Sequence, residues 1–428
     1  LIVTTTAAGN TFDGGTLSNV TINGAGGVTT FQTNNVSITT LTVTSGTAVV
    51  NINVTATTVD VNGGTLTVND TRTLTVNDLF ESAGIINLGT GASGVIDVKR
   101  NFSRTGGTFT ANAGSLMSFT GTVTQNVDGG PLFQLVNLTF TNSVSQINVG
   151  NTIRVSGAAT ISTATTVNFG TVNLVLNSAT ASIVNNGIYN TTENSGGGVI
   201  LGGNNLVPLG FAGGGQTLEG TGIFSYITVD VGNTLGAAIA TTGNTVASPT
   251  VITTGAAHGL VTGDVIFYIG SASIPAGYYG VTVLTGTTFS IPVNALANDG
   301  AVAAAVLPMN NAKVINTFTG VKFNGVLRLY TGALSVATAG VDFSPFGTNA
   351  KVVRHMYNFA GGVPQPVLVA QVGTWDAAAV QYDLEYATGT AIAAGNPVDI
   401  LLGSTEFPNV ANRIRNLSIT ATSVLTGS

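Results

Sequence analysis

The sequence has no cysteine and very few charged residues, and each of these absences excludes a class of protein. Without cysteine, the chain of 428 residues forms no disulfide and holds no iron–sulfur cluster or catalytic thiolate. Charged residues make up 7% of it, against about 25% in an ordinary soluble domain. Because 43% of the residues are hydrophobic, the composition is not that of a disordered chain either. Uncharged polar residues, chiefly Thr, Asn and Ser, must therefore provide the water-exposed surface.

The few charges are also scattered along the chain. The 12 Lys and Arg residues form no run and the net charge is -6, so the clustered positive charge that binds phosphate backbones is missing. No stretch of about 18 apolar residues occurs, which excludes a membrane-spanning helix. We therefore expect neither a nucleic-acid partner nor a membrane span. The chain starts at Leu1 without a signal peptide, from which we expect a processed protein or a fragment.

The pattern that is present is the alternation of β-strands. Residues 36–44, 58–62 and 65–69 each place Val, Ile or Leu mainly on one face and Thr, Asn or Asp on the other. Gly and Asn separate these segments, and no long stretch has apolar residues at helical spacing. The sequence therefore predicts an all-β protein.

Similar strands recur along the first half of the chain. The segment 64–70 is followed closely by the similar segment 73–78, and comparable strands return roughly every 18–25 residues. This spacing predicts a β-solenoid (β-helix) of stacked rungs over residues 1–244. A string of small β-sandwich domains is the alternative. We favour the solenoid because the inward positions are mostly small aliphatic residues, which suffice when each rung is buried on its neighbours.

Two changes of pattern predict further units. Residues 245–308 contain a compact set of short strands and are interpreted as a small β-module inserted in a rung loop. The solenoid pattern returns in residues 309–340. Residues 341–428 hold the only tryptophan, Trp375, and five of the 11 prolines. We expect them to form a C-terminal β-sandwich-like unit that caps the solenoid.

Two segments resemble a known family. Residues 120–127 (TGTVTQNV) and 133–140 (FQLVNLTF) resemble the repeat of giant Bacteroidota cell-surface proteins, which are exported by the type IX secretion system and include gliding and adhesion proteins. Residues 372–375, 382–386 and 414–419 are similar to a unit that often follows in those proteins. The resemblance implies an exported protein at the extracellular cell surface. The C-terminal sorting domain of that route is not evident, which again suggests a fragment.

The inserted module has a resemblance of its own. Residues 258–266 (HGLVTGDVI) and 279–283 (YGVTV) are similar to a small β-module of phage tail fibres and bacterial surface proteins. No firm activity is attached to that module. The resemblance therefore leaves a phage tail-fibre segment open as an alternative function.

Catalysis requires carboxylates that lie close together, since β-helices are a common scaffold for polysaccharide lyases and hydrolases. The densest set of acids is Asp60, Asp70, Asp78, Glu81 and Asp97, in which Asp60 and Asp78 would stack if the rung period matched. Each is interpreted instead as a turn residue that accepts backbone N–H groups. We predict no enzyme, no catalytic residue, no metal and no cofactor, with a carbohydrate-active β-helix enzyme as an alternative.

Two sets of residues are candidates for contacts with other molecules. Asp383 and Glu385 share one face of a strand, where they would contact a ligand or calcium, or simply face solvent. The strand Leu1, Ile2, Val3 and Thr4 is β-branched and uncharged, without the Lys or Pro that protects an exposed edge. It is the candidate for self-association, although it is also where a fragment would simply start.

These observations predict an extracellular structural or adhesive protein. A rigid β-rod would project or polymerise and would mediate surface attachment. Its expected partners are further copies of itself, in a filament or a longer chain, and surface glycans.

Overall fold

The structure is a computed structural model, and none of the residues that it describes is helical. No described helix is therefore available to cross a membrane. All regular structure in these residues is β-strand, which confirms the all-β prediction. The described residues are 1–4, 8–91, 93–131, 133–178, 180–191, 198–201, 217–230, 234–235, 238–260, 262, 265–268, 270–274, 277–310, 314–317, 322–331, 333–336, 344–356, 358–359, 363–364, 381–388, 398–402, 414–419 and 423–427.

The chain begins as a stack of long, bent, parallel strands. They are β1 (Ile2–Val3), β2 (Ala8–Phe12), β3 (Gly15–Phe31), β4 (Val36–Val50), β5 (Val54–Val68) and β6 (Thr73–Leu88). The short strands β1 and β2, here called the first rung, both pair with β3, and β3 to β6 pair in sequence. The bends need glycine where rungs approach closely. Gly46 has φ +75°, and a Cβ there would overlap the carbonyl oxygen of Gly24.

Beyond β6 each coil divides into shorter strands. They are β7 (Val95–Arg104), β8 (Thr108–Ala111), β9 (Leu116–Phe119), β10 (Gln125–Asp128), β11 (Phe133–Leu135), β12 (Asn137–Phe140), β13 (Gln146–Val149), β14 (Ile153–Val155), β15 (Ala158–Ile161), β16 (Thr166–Gly170), β17 (Leu174–Leu176), β18 (Ser182–Asn185), β19 (Ile188–Thr191), β20 (Val199–Leu201), β21 (Thr217–Glu219) and β22 (Ile223–Asp230).

These strands stack into three parallel faces. The first face contains β9, β12, β15, β18 and β21. The second contains β10, β13, β16 and β19, and the third contains β11, β14, β17 and β20. The architecture is a β-solenoid of about 13 turns, as predicted from the sequence.

The core consists of columns of inward side chains that repeat from rung to rung. One column of nine residues is at most 1% exposed at every position. It contains Val36, Val54, Leu74, Ile96, Met117, Leu138, Ala159, Ile183 and Leu218. The expectation of mostly small aliphatic residues does not hold further along the chain. Aromatic rings stack there, with centroids 5.5 Å apart for Phe119–Phe140 and 4.7 Å apart for Phe169–Tyr189.

A second, antiparallel sheet interrupts the solenoid after β22. Its strands are β23 (Thr234–Leu235), β24 (Ile239–Asn244), β25 (Thr250–Thr254), β26 (Val265–Tyr268), β27 (Gly277–Gly280), β28 (Thr282–Thr285), β29 (Thr288–Ile291) and β30 (Val302–Asn310). It has its own core, which includes Ile252, Ile266 and Phe289. Its strands begin before residue 245 and end after residue 308, so this inserted module is slightly longer than predicted.

The solenoid continues on the other side of the module. The remaining strands are β31 (Val314–Thr317), β32 (Lys322–Thr331), β33 (Ala333–Val336), β34 (Ser344–Pro345), β35 (Lys351–Met356), β36 (Asn358–Phe359), β37 (Val363–Pro364), β38 (Tyr382–Thr388), β39 (Val398–Leu402), β40 (Ile414–Ile419) and β41 (Ser423–Gly427). Strands β22 and β32 pair in parallel, with Ile227 opposite Leu327, so the module is an insertion between two neighbouring rungs.

The C-terminal strands differ from the predicted β-sandwich-like unit. Strands β32, β35, β38 and β40 pair in parallel and continue the solenoid sheet. In β38 the buried residues Tyr382 and Leu384 alternate with partly exposed ones. This alternation suits a half-buried strand in either architecture, so the sequence did not distinguish them. Trp375, which contributed to that prediction, lies outside the described residues.

Candidate functional site

Five asparagines form a ladder on the outer surface of the second face and the adjoining part of β7. Strand pairing places them in one column, and Asn126, Asn148 and Asn168 each stand between two buried residues. Four successive side-chain amides each donate an Nδ2–H to the Oδ1 of the preceding rung, over 3.1, 3.3, 3.2 and 3.2 Å. The members of this asparagine ladder are Asn101, Asn126, Asn148, Asn168 and Asn190. All of these amides therefore share one orientation.

The ladder ends on a carboxylate. Asn101 donates from Nδ2 to Oδ1 of Asp78 over 2.8 Å. Arg100 binds the same carboxylate through both Nε, at 2.8 Å, and Nη2. These donors lower the pKa of Asp78, and the hydrogen bond from Arg100 has the largest effect. The acceptor end of the ladder is thus an ionised, already neutralised carboxylate.

Asp60 and Asp78 would stack only if the rung period matched their separation in the sequence, and they do not stack. Strand pairing places Asp60 opposite Phe80 and Asp78 opposite Thr58, so the two carboxylates are out of step by two residues. The rung period in this part of the chain is longer than the separation of the two acids. These acids do not form the stacked pair that a glycosidase would need.

Asp97 lies on the first face within a polar cluster. Its carboxylate is 2.7 Å from Lys99 Nζ and accepts hydrogen bonds from Ser118 Oγ at 3.1 Å and Thr120 Oγ1 at 2.6 Å. The Lys99 ammonium also donates to Thr120 Oγ1 over 2.5 Å. These contacts join β7 to the segment 118–120 on the next rung, so this cluster is suited to stabilising the surface.

Glu81 is the one acid of this set that points into the core. Pairing of β4, β5, β6 and β7 places it in an inward column with Val43, Val61 and Arg104. Its side chain is fully buried, and Oε2 lies 3.2 Å from Arg104 Nε without the alignment of a hydrogen bond. Burial raises the pKa of Glu81 to about 7, although the Arg104 charge opposes the shift.

Arg104 connects this buried acid to the next coil. Its Nη1 donates to the carbonyl of Gly129 over 3.0 Å, and its Nη2 donates to the carbonyl of Gly107 over 2.7 Å. The pair lies where the long bent strands give way to the shorter strands of the three faces. The interpretation of these acids as turn residues is confirmed for Asp70, whose carboxylate accepts the N–H groups of Thr90 and Gly91. It is wrong for the other four, which lie within strands: Asp60, Asp78, Glu81 and Asp97.

Asp383 and Glu385 lie on the outer side of β38, on the same face as predicted. Asp383 Oδ1 accepts hydrogen bonds from Arg415 Nε at 2.8 Å and Asn416 Nδ2 at 2.9 Å. Glu385 Oε2 is 2.5 Å from Lys351 Nζ. The hydrogen bond from Arg415 is the largest cause that lowers the pKa of Asp383. Cations from neighbouring rungs thus neutralise both acids, and contact with calcium or a ligand remains a prediction.

The first rung leaves one strand edge exposed. The carbonyl of Leu1 accepts a hydrogen bond from Thr21 N at 2.9 Å, on the side where β1 pairs with β3. Among the described strands, none pairs with the opposite edge of β1. Leu1 and Ile2 are 63% and 68% exposed. The structure therefore brings Leu1 to Thr4 to the end of the stack.

The two histidines lie in different parts of the chain. His258 in the module accepts a hydrogen bond from Leu260 N at Nδ1, over 3.0 Å, so its Nε2 carries the proton and donates to the carbonyl of Thr285 at 2.9 Å. This is a structural imidazole that links two loops. His355 lies in β35 of the solenoid.

Sequence reasoning missed the asparagine ladder. Its members are 20 to 25 residues apart, because the loops between faces differ in length, so no fixed period reveals them. A local signal exists in β10, β13 and β16. An asparagine stands between residues whose side chains enter the core, as in Ile147-Asn148-Val149 and Val167-Asn168-Phe169.

No family model matches the sequence, and neither a curated protein nor a solved structure matches it. Within the described residues no three His, Cys, Asp or Glu side chains come together as a metal site would require. The side chains on the surfaces described above are therefore the basis for assigning a function.

Proposed function

We propose that the chain is an extracellular structural and adhesive rod at a cell surface. The observation that supports this function best is the continuity of the stack past the inserted module. Strands β22 and β32 pair directly, although the chain between them forms a separate sheet with its own core. A rod that carries a side module without losing its own pairing is suited to holding a binding unit away from a surface.

The dimensions and the charges agree with a structural role. About 13 turns at a spacing of about 4.8 Å give a rod roughly 60 Å long. Every rung is supported by its neighbours, so the rod is stiff along its axis. The acids on the outer strands, such as Asp78, Asp97 and Asp383, lie against Arg or Lys side chains. This arrangement stabilises a surface and leaves these carboxylates poorly suited to catalysis.

The first test concerns the inserted module. Replacement of residues 234–310 by a short Gly/Ser loop is expected to leave the thermal unfolding of the rod nearly unchanged, because the length of a surface loop has little effect on stability. Binding of the purified protein to immobilised neutral and acidic polysaccharides should be lost if the module carries attachment. Unfolding is followed by circular dichroism. Collapse of the rod signal would show that the module is part of the scaffold, which contradicts its role as a separate unit.

The second test concerns the first rung. The double substitution Ile2→Lys and Thr4→Lys is expected to shorten or abolish end-to-end assemblies. The reason is that two charges would lie on the exposed edge that pairs with the next copy. Assembly length is measured by light scattering and electron microscopy. The matched control places Lys at Ser37 and Thr55, which are exposed on the side of the stack. Assemblies of unchanged length in the edge variant would refute end-to-end pairing.

A further inference from the structure

The asparagine ladder holds its side chains in fixed positions before any partner binds. The four amide–amide bonds run in one direction, and the Asp78 carboxylate, held by Arg100, accepts the last donor. Side chains that are already ordered lose little conformational entropy on association. The ladder is exposed at Asn126 and Asn190 and half-buried at the members between them.

The ladder uses only part of the hydrogen-bonding capacity of its amides. Each amide has two N–H donors and a carbonyl with two lone pairs, and the ladder takes one donor and one lone pair from each member along its length. Asn168 directs its second donor to Oε1 of Gln146 over 3.0 Å. The other members of the ladder have N–H donors and carbonyl lone pairs that the ladder does not use. These groups repeat once per rung on a surface open to solvent.

We propose that the second face of one copy binds the second face of another copy, ladder against ladder. An amide is its own hydrogen-bonding complement, because it offers both a donor and an acceptor. The rung spacing of the two copies is the same, since backbone hydrogen bonds set it in both at about 4.8 Å. Amide pairs therefore stay in step along the five rungs of the ladder, and asparagine ladders likewise stabilise the paired sheets of amyloid.

The surroundings of the ladder fit a partner with the same surface. The adjacent outward positions on β13, β16 and β19 are Gln146, Thr166 and Ile188, which are uncharged. The charged groups along this column are Asp128, two residues after Asn126, Asp60, two residues after Thr58, and the mutually neutralised pair Asp78–Arg100. Little like-charge repulsion therefore opposes the contact of two identical faces.

The area of this face indicates a weak pairing. The column continues beyond Asp78 through Thr58, Thr40 and Asn19, so it covers nine rungs. Nine rungs at a spacing of about 4.8 Å, each with a strand about 13 Å long, present about 560 Å² on each copy. The total of about 1,100 Å² lies at the lower limit of specific interfaces. We therefore expect a concentration-dependent dimer.

The test separates this lateral contact from end-to-end joining. It uses the full chain with Lys at Ile2 and Thr4, so that the first rung no longer pairs, and follows the mass by sedimentation over a wide concentration range. In this background Asn148→Asp should raise the dimer dissociation constant at least tenfold, because it places two carboxylates in one interface. Asn87→Asp, an outward asparagine on the third-face side of β6, is the matched control and should have no effect.

A second variant distinguishes the loss of the dimer contact from local damage to the ladder. Thr166→Arg places a long charged side chain on the same face without removing a ladder hydrogen bond, and it should also separate the dimer. The circular dichroism of each variant should match that of the parent. The proposal is overturned by a parent that is monomeric at every concentration, or by dimers that resist both variants. A monomeric parent that binds neutral polysaccharide through Asn148 would assign the ladder to a glycan instead.

Discussion

Replacement of Leu138 by Asp is expected to unfold the rungs around β12. Leu138 is completely buried and lies in an inward column between Met117 and Ala159. A carboxylate at this position would have no cation and no hydrogen-bond donor among the aliphatic side chains of its column. The expected loss of stability exceeds about 4 kcal/mol, whereas Leu138→Ala should cost about 3 kcal/mol through its cavity.

The adjacent residue provides a matched control. Thr139 points outward in the column that contains Asp97 and Ser118 on neighbouring rungs, so Thr139→Asp should change stability by less than about 1 kcal/mol. Hydrogen exchange locates the effect, because stability in a solenoid depends mainly on neighbouring rungs. Leu138→Asp should lose protection first in β9, β12 and β15. Equal melting of Leu138→Asp and the parent would mean that the inward assignment is wrong.

The stability of the solenoid should fall as the pH rises from about 4.5 to about 7, and Glu81→Gln should remove that part of the fall. Burial raises the pKa of Glu81 from 4.5 to about 7. The folded state therefore holds this proton more tightly than the unfolded state. The stabilisation that this bound proton contributes is complete below pH 4.5 and is lost as the pH rises through about 7. The expected loss is about 3 kcal/mol, because one pKa unit corresponds to about 1.4 kcal/mol.

The glutamine side chain of the Glu81→Gln variant reproduces the protonated acid, since it has a similar shape and no charge. We expect the variant and the parent to have equal stability at pH values below 4.5 and the variant to be more stable at pH values above about 7. Urea unfolding of both proteins at several pH values gives the difference between their free energies of unfolding. The titration of all other groups cancels in this difference. Parallel pH profiles for the two proteins would mean that Glu81 does not titrate in this range. The core pair with Arg104 would then be an ordinary ion pair.

The strands of the solenoid were predictable because their signal is local. Alternation in residues 36–44 and 65–69 identified strands with one apolar face, and the recurrence of similar segments identified a stack. The inserted module was recognised as a change of pattern near residue 245. Its first strands were missed, since Ile239–Asn244 has the same composition as the solenoid strands before it.

The surfaces were harder to predict because they depend on register. Whether Asp60 and Asp78 stack depended on a rung period that the sequence does not give, and the pairing of β5 and β6 aligns Asp78 with Thr58. Irregular loops change the rung length, so a single insertion shifts every later alignment. Glu81 was interpreted as a turn acid because it is charged, whereas the strand that carries it turns it inward between Val61 and Arg104.

By itself, the amino-acid sequence determined that this protein is all-β, has a surface of uncharged polar side chains and contains stacked rungs with an inserted module. Those properties follow from composition and from the two-residue alternation of a strand, which is visible within a few consecutive residues of the sequence. Only the tertiary structure decided which residues share a column, including Asn126 with Asn148 and Glu81 with Arg104. It also decided that β35, β38 and β40 continue the parallel sheet. Residues that meet across rungs are about 20 or more positions apart, and the loop lengths between them set their alignment.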